Sequence, residues 1–240
     1  MTDLTPRALT PDEMEFFRHN GYLKFPQSLP GDFVDRLRSR IQIDADNEVE
    51  PVGRNSEGIV VRLSQVWNRG GIYQEALAHS CILQPLKGLI GPNIELILNR
   101  HNHATTRLGP ALKARFHRDV LQWTRTIATV IVYLEESTVE NGATQVLPGS
   151  HLWPGISTLH NPSTEETKGL LDQAVPVPMP AGGLLCIDSM IFHTAGPKKT
   201  TETRMSMTAG YHSVDELNPD EPTDRILVSG ERVSLSNRAY

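Results

Sequence analysis

His117 and Asp119 flank Arg118, two positions apart. If residues 115–119 are extended, both side chains leave the same face of the strand, because side chains alternate with period two. A third ligand must come from elsewhere, and His193 closes the run Asp188-Ser189-Met190-Ile191-Phe192-His193 behind a predicted strand. Two imidazoles and one carboxylate on one side of an ion leave three positions open, which suits Fe(II) that must also take a chelating cosubstrate and O2. A His-x-Asp triplet arises often by chance, so it needs a partner feature. Arg204 supplies one, eleven positions after His193 and two before Ser206. An alternating strand puts Arg204 and Ser206 side by side, and a guanidinium next to a hydroxyl grips a remote carboxylate by charge-assisted hydrogen bonds.

Other motifs weigh less. His-Arg-Asp also opens the protein-kinase catalytic loop, but that loop needs asparagine five positions after the aspartate and Thr124 stands there, with no glycine-rich phosphate loop upstream. His101 and His103 form a second same-face pair without the glutamate a cupin metal site would add. They belong either at the mouth of the pocket or on the plain surface. Trp123 follows the ligand pair and lines either the substrate pocket or the core. His151 in Pro148-Gly149-Ser150-His151 reads as a turn-fixing residue, and Lys198-Lys199 as a solvated loop. Residues 47–71 read as an irregular loop long enough to act as a lid, and Arg54, Arg62 and Arg69 within it offer charges for an acidic substrate.

The elements that position these residues change type along the chain. Thr10-Pro11-Asp12-Glu13 is a capping box with proline at the first helical position, and Asn20-Gly21 ends that helix before a short strand at Tyr22–Phe25. A second helix follows Pro30-Gly31-Asp32, with Phe33, Leu37 and Ile41 spaced four apart on one face. Tyr73 to Leu89 is a third helical stretch, predicted to break at Pro85. Short strands are predicted at 95–99, 127–134, 143–147, 175–179, 184–187 and 205–211, separated by turns such as Asn141-Gly142, Pro148-Gly149 and Gly182-Gly183. That layout is α+β: a helical part over about 1–92, a β-rich sandwich or barrel over about 93–212, and a tail over about 213–240, all in one domain.

Composition sets outer limits. The 240 residues carry a net charge of −5, are 38% hydrophobic and 21% charged, and have a sequence pI near 6.0. There is no bulk attraction for nucleic acid or anionic membrane, and no apolar run approaches the roughly 20 residues of a membrane span. The N-terminal residues lack the apolar stretch of a secretory signal, and the two cysteines, Cys81 and Cys186, sit in apolar surroundings as expected of free thiols. The expectation is a cytoplasmic protein acting on a small molecule, with no nucleic-acid or membrane partner.

The motifs in register resemble the phytanoyl-CoA dioxygenase family of Fe(II)/2-oxoglutarate-dependent oxygenases. The resemblance rests on His117-Arg118-Asp119 with Trp123 downstream, Glu140-Asn141-Gly142-Ala143 leading to Leu147-Pro148-Gly149-Ser150-His151, Gly183 ahead of Asp188 and His193, and Arg204 at the family's spacing, over roughly residues 10–211. It implies a double-stranded β-helix, or jelly roll, wrapped by N-terminal helices. It implies Fe(II) held by His117, Asp119 and His193, and the distal carboxylate of the cosubstrate 2-oxoglutarate held by Arg204 with Ser206, with Asn99 and Thr129 in reach of it. O2 is the second cosubstrate. Arg118 stands where glutamine is frequent in the family, a departure that should point away from the metal. Halogenating relatives replace the carboxylate ligand by a small residue, so Asp119 argues for hydroxylation or oxidative cyclisation. A small natural product is the expected substrate class. A zinc hydrolase and a non-catalytic cupin-like binding module are the alternatives the same ligands allow.

Overall fold

The computed structural model describes residues 6–106, 116–120, 127–153, 169–201, 203–216 and 224–232. Trp123, expected near the substrate pocket, lies outside them. Helix α1 (Pro11–Asn20) starts as its capping box dictates: the Thr10 hydroxyl accepts from the Glu13 amide at 3.2 Å, and the Glu13 carboxylate accepts from the Thr10 amide at 2.7 Å. Gly21 ends it at φ 76 and hands the chain to strand β1 (Tyr22–Lys24). Helix α2 (Gly31–Asp46) buries Phe33, Leu37 and Ile41, the face their spacing marks.

The expected break at Pro85 falls earlier. Helix α3 (Gly71–Leu77) stops at Ala78, and α4 (Ser80–Ile90) runs through Pro85. The His79 ring accepts from the Cys81 amide at 3.2 Å and caps α4, so a local side-chain bond, not the proline, sets the boundary. Residues 47–71 also differ from the expected irregular loop. They hold strands β2 (Val52–Arg54) and β3 (Val60–Ser64), paired antiparallel, followed by a 3-10 turn over Val66–Arg69. The remaining strands are β4 (Ile94–Ile97), β5 (His103–Thr105), β6 (Ile127–Tyr133), β7 (Thr144–Val146), β8 (Val175–Val177), β9 (Leu184–Asp188), β10 (His193–Ala195), β11 (Ser206–Ser213) and β12 (Arg225–Ser229). The tail therefore carries a strand, and the N-terminal part contributes three.

Among the described residues these strands make two antiparallel sheets. The larger runs β1-β9-β6-β11-β5-β3-β2, with β4 beside the second half of β11 and β12 beside β4; the smaller runs β10-β7-β8. Strand β6 shows how the layers are built. Ala128, Val130 and Val132 pack with the helices, sharing a core with Leu37, Ile41, Ile82, Leu86, Met207 and Ala209. Its alternate residue Tyr133 faces the small sheet and packs with Val146, Val177, Met179, Leu185, Ile187 and Ile191. A strand buried on both faces needs apolar residues at nearly every position, which is why β6 reads Ile-Ala-Thr-Val-Ile-Val-Tyr. The interruptions of that burial mark the site. Ile131 on β6 and its register partner Thr208 on β11 are partly exposed in otherwise buried surroundings, and both lie on the face toward the small sheet. They floor an accessible space between the sheets.

Cys81 and Cys186 are buried free thiols, as expected. Among the described residues no helix is long and apolar enough to cross a membrane.

Candidate metal centre

His117 and His193 are partners in an isolated antiparallel bridge, each amide donating to the other's carbonyl at 3.0 Å. Directly opposed residues of an antiparallel pair project to the same side, so the two rings meet, with centroids 4.3 Å apart. Two positions on, Asp119 re-emerges on that side, its amide held at 2.8 Å by the Ser189 carbonyl. The structure thus brings together one ligand atom from each of His117, Asp119 and His193, all within 4.8 Å of one another. Asp119 Oδ1 lies 3.8 Å from His117 Nε2 and 3.6 Å from His193 Nε2, room for an ion at roughly 2.1 Å from each after small rotations. The His193 ring is aimed by Nδ1, which lies 3.1 Å from the Ile191 carbonyl and leaves Nε2 for the ion.

The carboxylate is kept ionised. Burial alone pushes the Asp119 carboxyl up, but His193, His101 and His117 together hold it well below the usual carboxylate range. Its second oxygen, Oδ2, accepts from the Thr129 hydroxyl at 3.0 Å, and that hydroxyl also lies 2.8 Å from Ser189 Oγ. Thr129 is therefore tied to the ligand Asp119 and to Ser189. Asn99 is not brought to the cluster: it is exposed and its amide donates to Asp224 Oδ2 at 3.2 Å. Arg118, pointing away from the ligands, lies with its guanidinium 4.4 Å from the Phe192 ring centroid and donates to the Ser150 carbonyl at 2.7 Å.

Arg204 sits at the far end of the inner space. It is 5% exposed, donates to the Gly142 carbonyl and lies within 3.4 Å of Ser137 Oγ, while its buried Nε has no hydrogen-bond partner among the described residues. An orphaned, buried guanidinium N–H costs free energy unless an anion fills it, so the donor set fits a carboxylate. Burial lowers its pKa, but an arginine remains charged. Ser206 is opposite Tyr133, on the inner face of β11. From Thr129, beside Asp119, to Tyr133, near Arg204, is four residues of β6, roughly 13 Å of strand. An arginine side chain and a five-carbon diacid have the combined length to span that distance.

The turn motifs serve this arrangement. Asn141 accepts from the Thr138 amide and donates to the Glu136 carbonyl, at 2.8 and 2.9 Å, which presents Gly142 to Arg204. Ser150 Oγ accepts from the Phe192 amide at 2.8 Å, fixing the strand that carries His193. His151 is the turn-fixing residue expected, with Nε2 3.0 Å from the Arg18 carbonyl.

His103 and Arg62 share the inner face on neighbouring strands: Ser64 and Thr208 flank His103, and Thr105 and Ser206 continue from Arg62. Of the three arginines noted, Arg54 pairs with Glu48 and Glu50 and Arg69 binds main-chain carbonyls, which leaves Arg62 facing the space. His101, set beside His103 with ring centroids 6.0 Å apart, reaches Asp119 Oδ1 at 3.1 Å. That contact had no signal in the sequence, since it depends on a kink between β4 and β5.

Helices on one face of a large antiparallel sheet, a small sheet on the other, and two histidines with an aspartate between them define a jelly-roll oxygenase of the non-haem iron class. Residues 17–206 match the phytanoyl-CoA dioxygenase (PhyH) family, and the chain belongs to it. It is 29% identical to the dioxygenase ALT11 of Alternaria alternata over 264 aligned positions, covering 100% of this chain and 83% of that one. A shorter match to the dioxygenase andF of Emericella variicolor is 39% identical over 79 residues, 33% of this chain and only 25% of the relative. Among solved structures, the non-haem alpha-ketoglutarate-dependent epimerase SnoN from nogalamycin biosynthesis superposes with a TM-score of 0.72 at 18% identity, covering 91% of this chain and 98% of that one. The fold is that of the Fe(II)/2-oxoglutarate-dependent oxygenases.

Proposed function

We propose that this chain is an Fe(II)/2-oxoglutarate-dependent dioxygenase that oxidises a small organic substrate in natural-product biosynthesis, converting 2-oxoglutarate to succinate and CO2. The observation that carries the reading is the pairing of the His117/Asp119/His193 cluster with a buried Arg204 Nε, without a partner among the described residues, at the other end of one partly exposed floor. A zinc hydrolase would leave Arg204 and Ser206 without a task. His117, Asp119 and His193 would hold the iron, which together with 2-oxoglutarate would supply O2 activation for C–H oxidation. The protein's share is to hold the three ligands, clamp the diacid at Arg204 and Ser206, and set the substrate's C–H bond facing the open side. The position of Arg62 and His103 on the inner face beyond Ser206 and Thr208 supports a role for both in meeting that substrate. Asp119 fills the position a halide would need, so the expected product is hydroxylated or cyclised. SnoN's setting in nogalamycin biosynthesis supports a tailoring role for the present chain.

Anaerobic titration of the metal-free protein with Fe(II) and 2-oxoglutarate tests this. A weak visible charge-transfer band should form, vanish in His117→Ala, and need about ten- to a hundredfold more 2-oxoglutarate in Arg204→Ala, the cost of about 1.5–3 kcal/mol for hydrogen bonds to a charged group. A wild-type protein with no band, and no substrate-stimulated succinate from a natural-product panel, sinks the proposal. A chlorinated product would overturn the use made of Asp119.

A further inference from the structure

Strand pairing along β11 is interrupted on one edge. Residues 206–208 pair with β5 and 210–213 with β4, so the segment Leu98–Asn102 leaves the ladder between them. The kink is closed by Asn102, whose side chain is buried, accepts from the Trp67 amide at 2.9 Å and donates to the Leu98 carbonyl at 3.2 Å. At its tip His101 adopts φ 53, a left-handed conformation uncommon for residues other than glycine, though histidine, asparagine and aspartate enter it more readily than the rest. Strain of this kind persists where surrounding contacts hold it, and it gathers at functional sites. What the strain accomplishes is visible: two consecutive side chains converge on one residue. Arg100 donates to the Asp119 main-chain carbonyl, and His101 Nε2 reaches Asp119 Oδ1 at 3.1 Å. His101 falls outside the set of ligand atoms lying within 4.8 Å of one another, so it approaches the carboxylate from outside the cluster.

On the reading that this cluster holds iron, we propose that His101 is a positioning residue for the metal centre, donating through Nε2–H to the outer lone pair of Asp119 Oδ1 while the inner lone pair faces the ion. An ionised carboxylate oxygen has two acceptor sites, so both bonds coexist. With Thr129 on Oδ2, each oxygen is then fixed by a separate hydrogen bond, and the carboxylate is held to one orientation toward the ion. Ligand-orienting partners of this type are worth about ten- to a hundredfold in metal affinity. The kink in the β4–β5 edge is the structural cost of delivering that donor.

Two substitutions separate the side chain from the backbone. Asparagine tolerates the left-handed φ but places its amide near Nδ1, whereas glutamine places its amide near Nε2, where the donor is needed. Metal-free wild type, His101→Asn and His101→Gln are titrated with Co(II), a spectroscopic stand-in for iron, by calorimetry and visible absorption. The expected result is ten- to a hundredfold weaker Co(II) binding in His101→Asn with shifted ligand-field bands, and recovery to within about threefold in His101→Gln. Thermal unfolding of the metal-free forms reports folding separately. The inference is overturned if His101→Asn binds Co(II) like wild type. It is equally overturned if His101→Gln is no better than His101→Asn, or if the His101→Asn spectrum shows loss of a directly bound nitrogen. Failure of wild type itself to bind Co(II) would instead remove the underlying metal-site reading.

Discussion

At the residue scale, the inner face separates groups that carry charge from groups that must not. Burial, then the nearby Arg62 guanidinium and His101, push the His103 imidazolium down to about 3 from an ordinary 6.5. His103 is therefore neutral wherever the enzyme would work, able to donate or accept one hydrogen bond, while Arg62 beside it stays cationic. The consequence for stability follows from proton linkage. Below pH 6.5 the unfolded chain takes a proton on this ring that the native state refuses until about 3, so stability falls as pH drops through that window. In His103→Gln the metal-free protein should lose up to about one proton's worth of that slope, seen in urea unfolding between pH 6.5 and 4.5. An unchanged slope would mean that the ring is solvated. The same scale explains Thr129. A β-branched residue in a central strand usually needs no explanation beyond packing, yet this hydroxyl joins Asp119 to Ser189.

At the scale of elements, short strands place the ligands and tight turns place the strands. Gly21 does both jobs for β1. It sits at φ 76, its carbonyl accepts from the Asp188 amide at 2.8 Å, and a Cβ there would lie 2.5 Å from His151 Nδ1. The His151 ring is itself tied to the Arg18 carbonyl, so it cannot swing aside cheaply. Gly21→Ala should cost about 1–3 kcal/mol, through left-handed strain and the clash together. That corresponds to a melting temperature lower by roughly 2–10 °C for a chain of this length, readable by calorimetry. His151→Ala should recover part of the loss, because it removes the atom the new methyl would meet. Full stability in Gly21→Ala would show that the α1–β1 turn can rearrange.

For the whole molecule, one buried carboxylate ties the C-terminal strand to the sheet that carries the site. Glu95 on β4 is 2% exposed and meets His212 of β11 at 3.2 Å, Arg225 of β12 at 3.4 Å and Arg232 at 2.7 Å. Removing one member of a buried ionic network leaves the others desolvated, so Glu95→Ala should cost about 3 kcal/mol or more. Arg232→Ala, whose side chain is 50% exposed, should cost less than about 1 kcal/mol. Hydrogen exchange should show β12 amides losing protection ahead of β6 and β11 in Glu95→Ala. Uniform loss across all three strands would place Glu95 in the global core instead of at a latch.

Much of this molecule is legible in the linear chain, wherever chemistry or local geometry restricts the residue type. A facial metal site needs two imidazoles and a carboxylate, and a period of two brings His117 and Asp119 to one face. A capping box specifies its helix start within four residues, and a strand buried on both faces must be apolar throughout, so α1 and β6 stand where they were expected. The remainder depends on contacts between residues far apart in sequence. Strands β5 and β10 have three residues each, too few to show a period, and exist because β11 and β7 offer them partners. The hairpin of β2 and β3 and strand β12 are likewise made by pairing across the sheet, and the break between α3 and α4 by a histidine ring. Asn99 turns outward to Asp224, and His101 turns inward to Asp119, from the two sides of one kink. Residue types restrict which chemistry is available; only the tertiary fold decides which of several chemically able side chains reaches the metal, because that depends on where an interrupted strand lets the backbone turn.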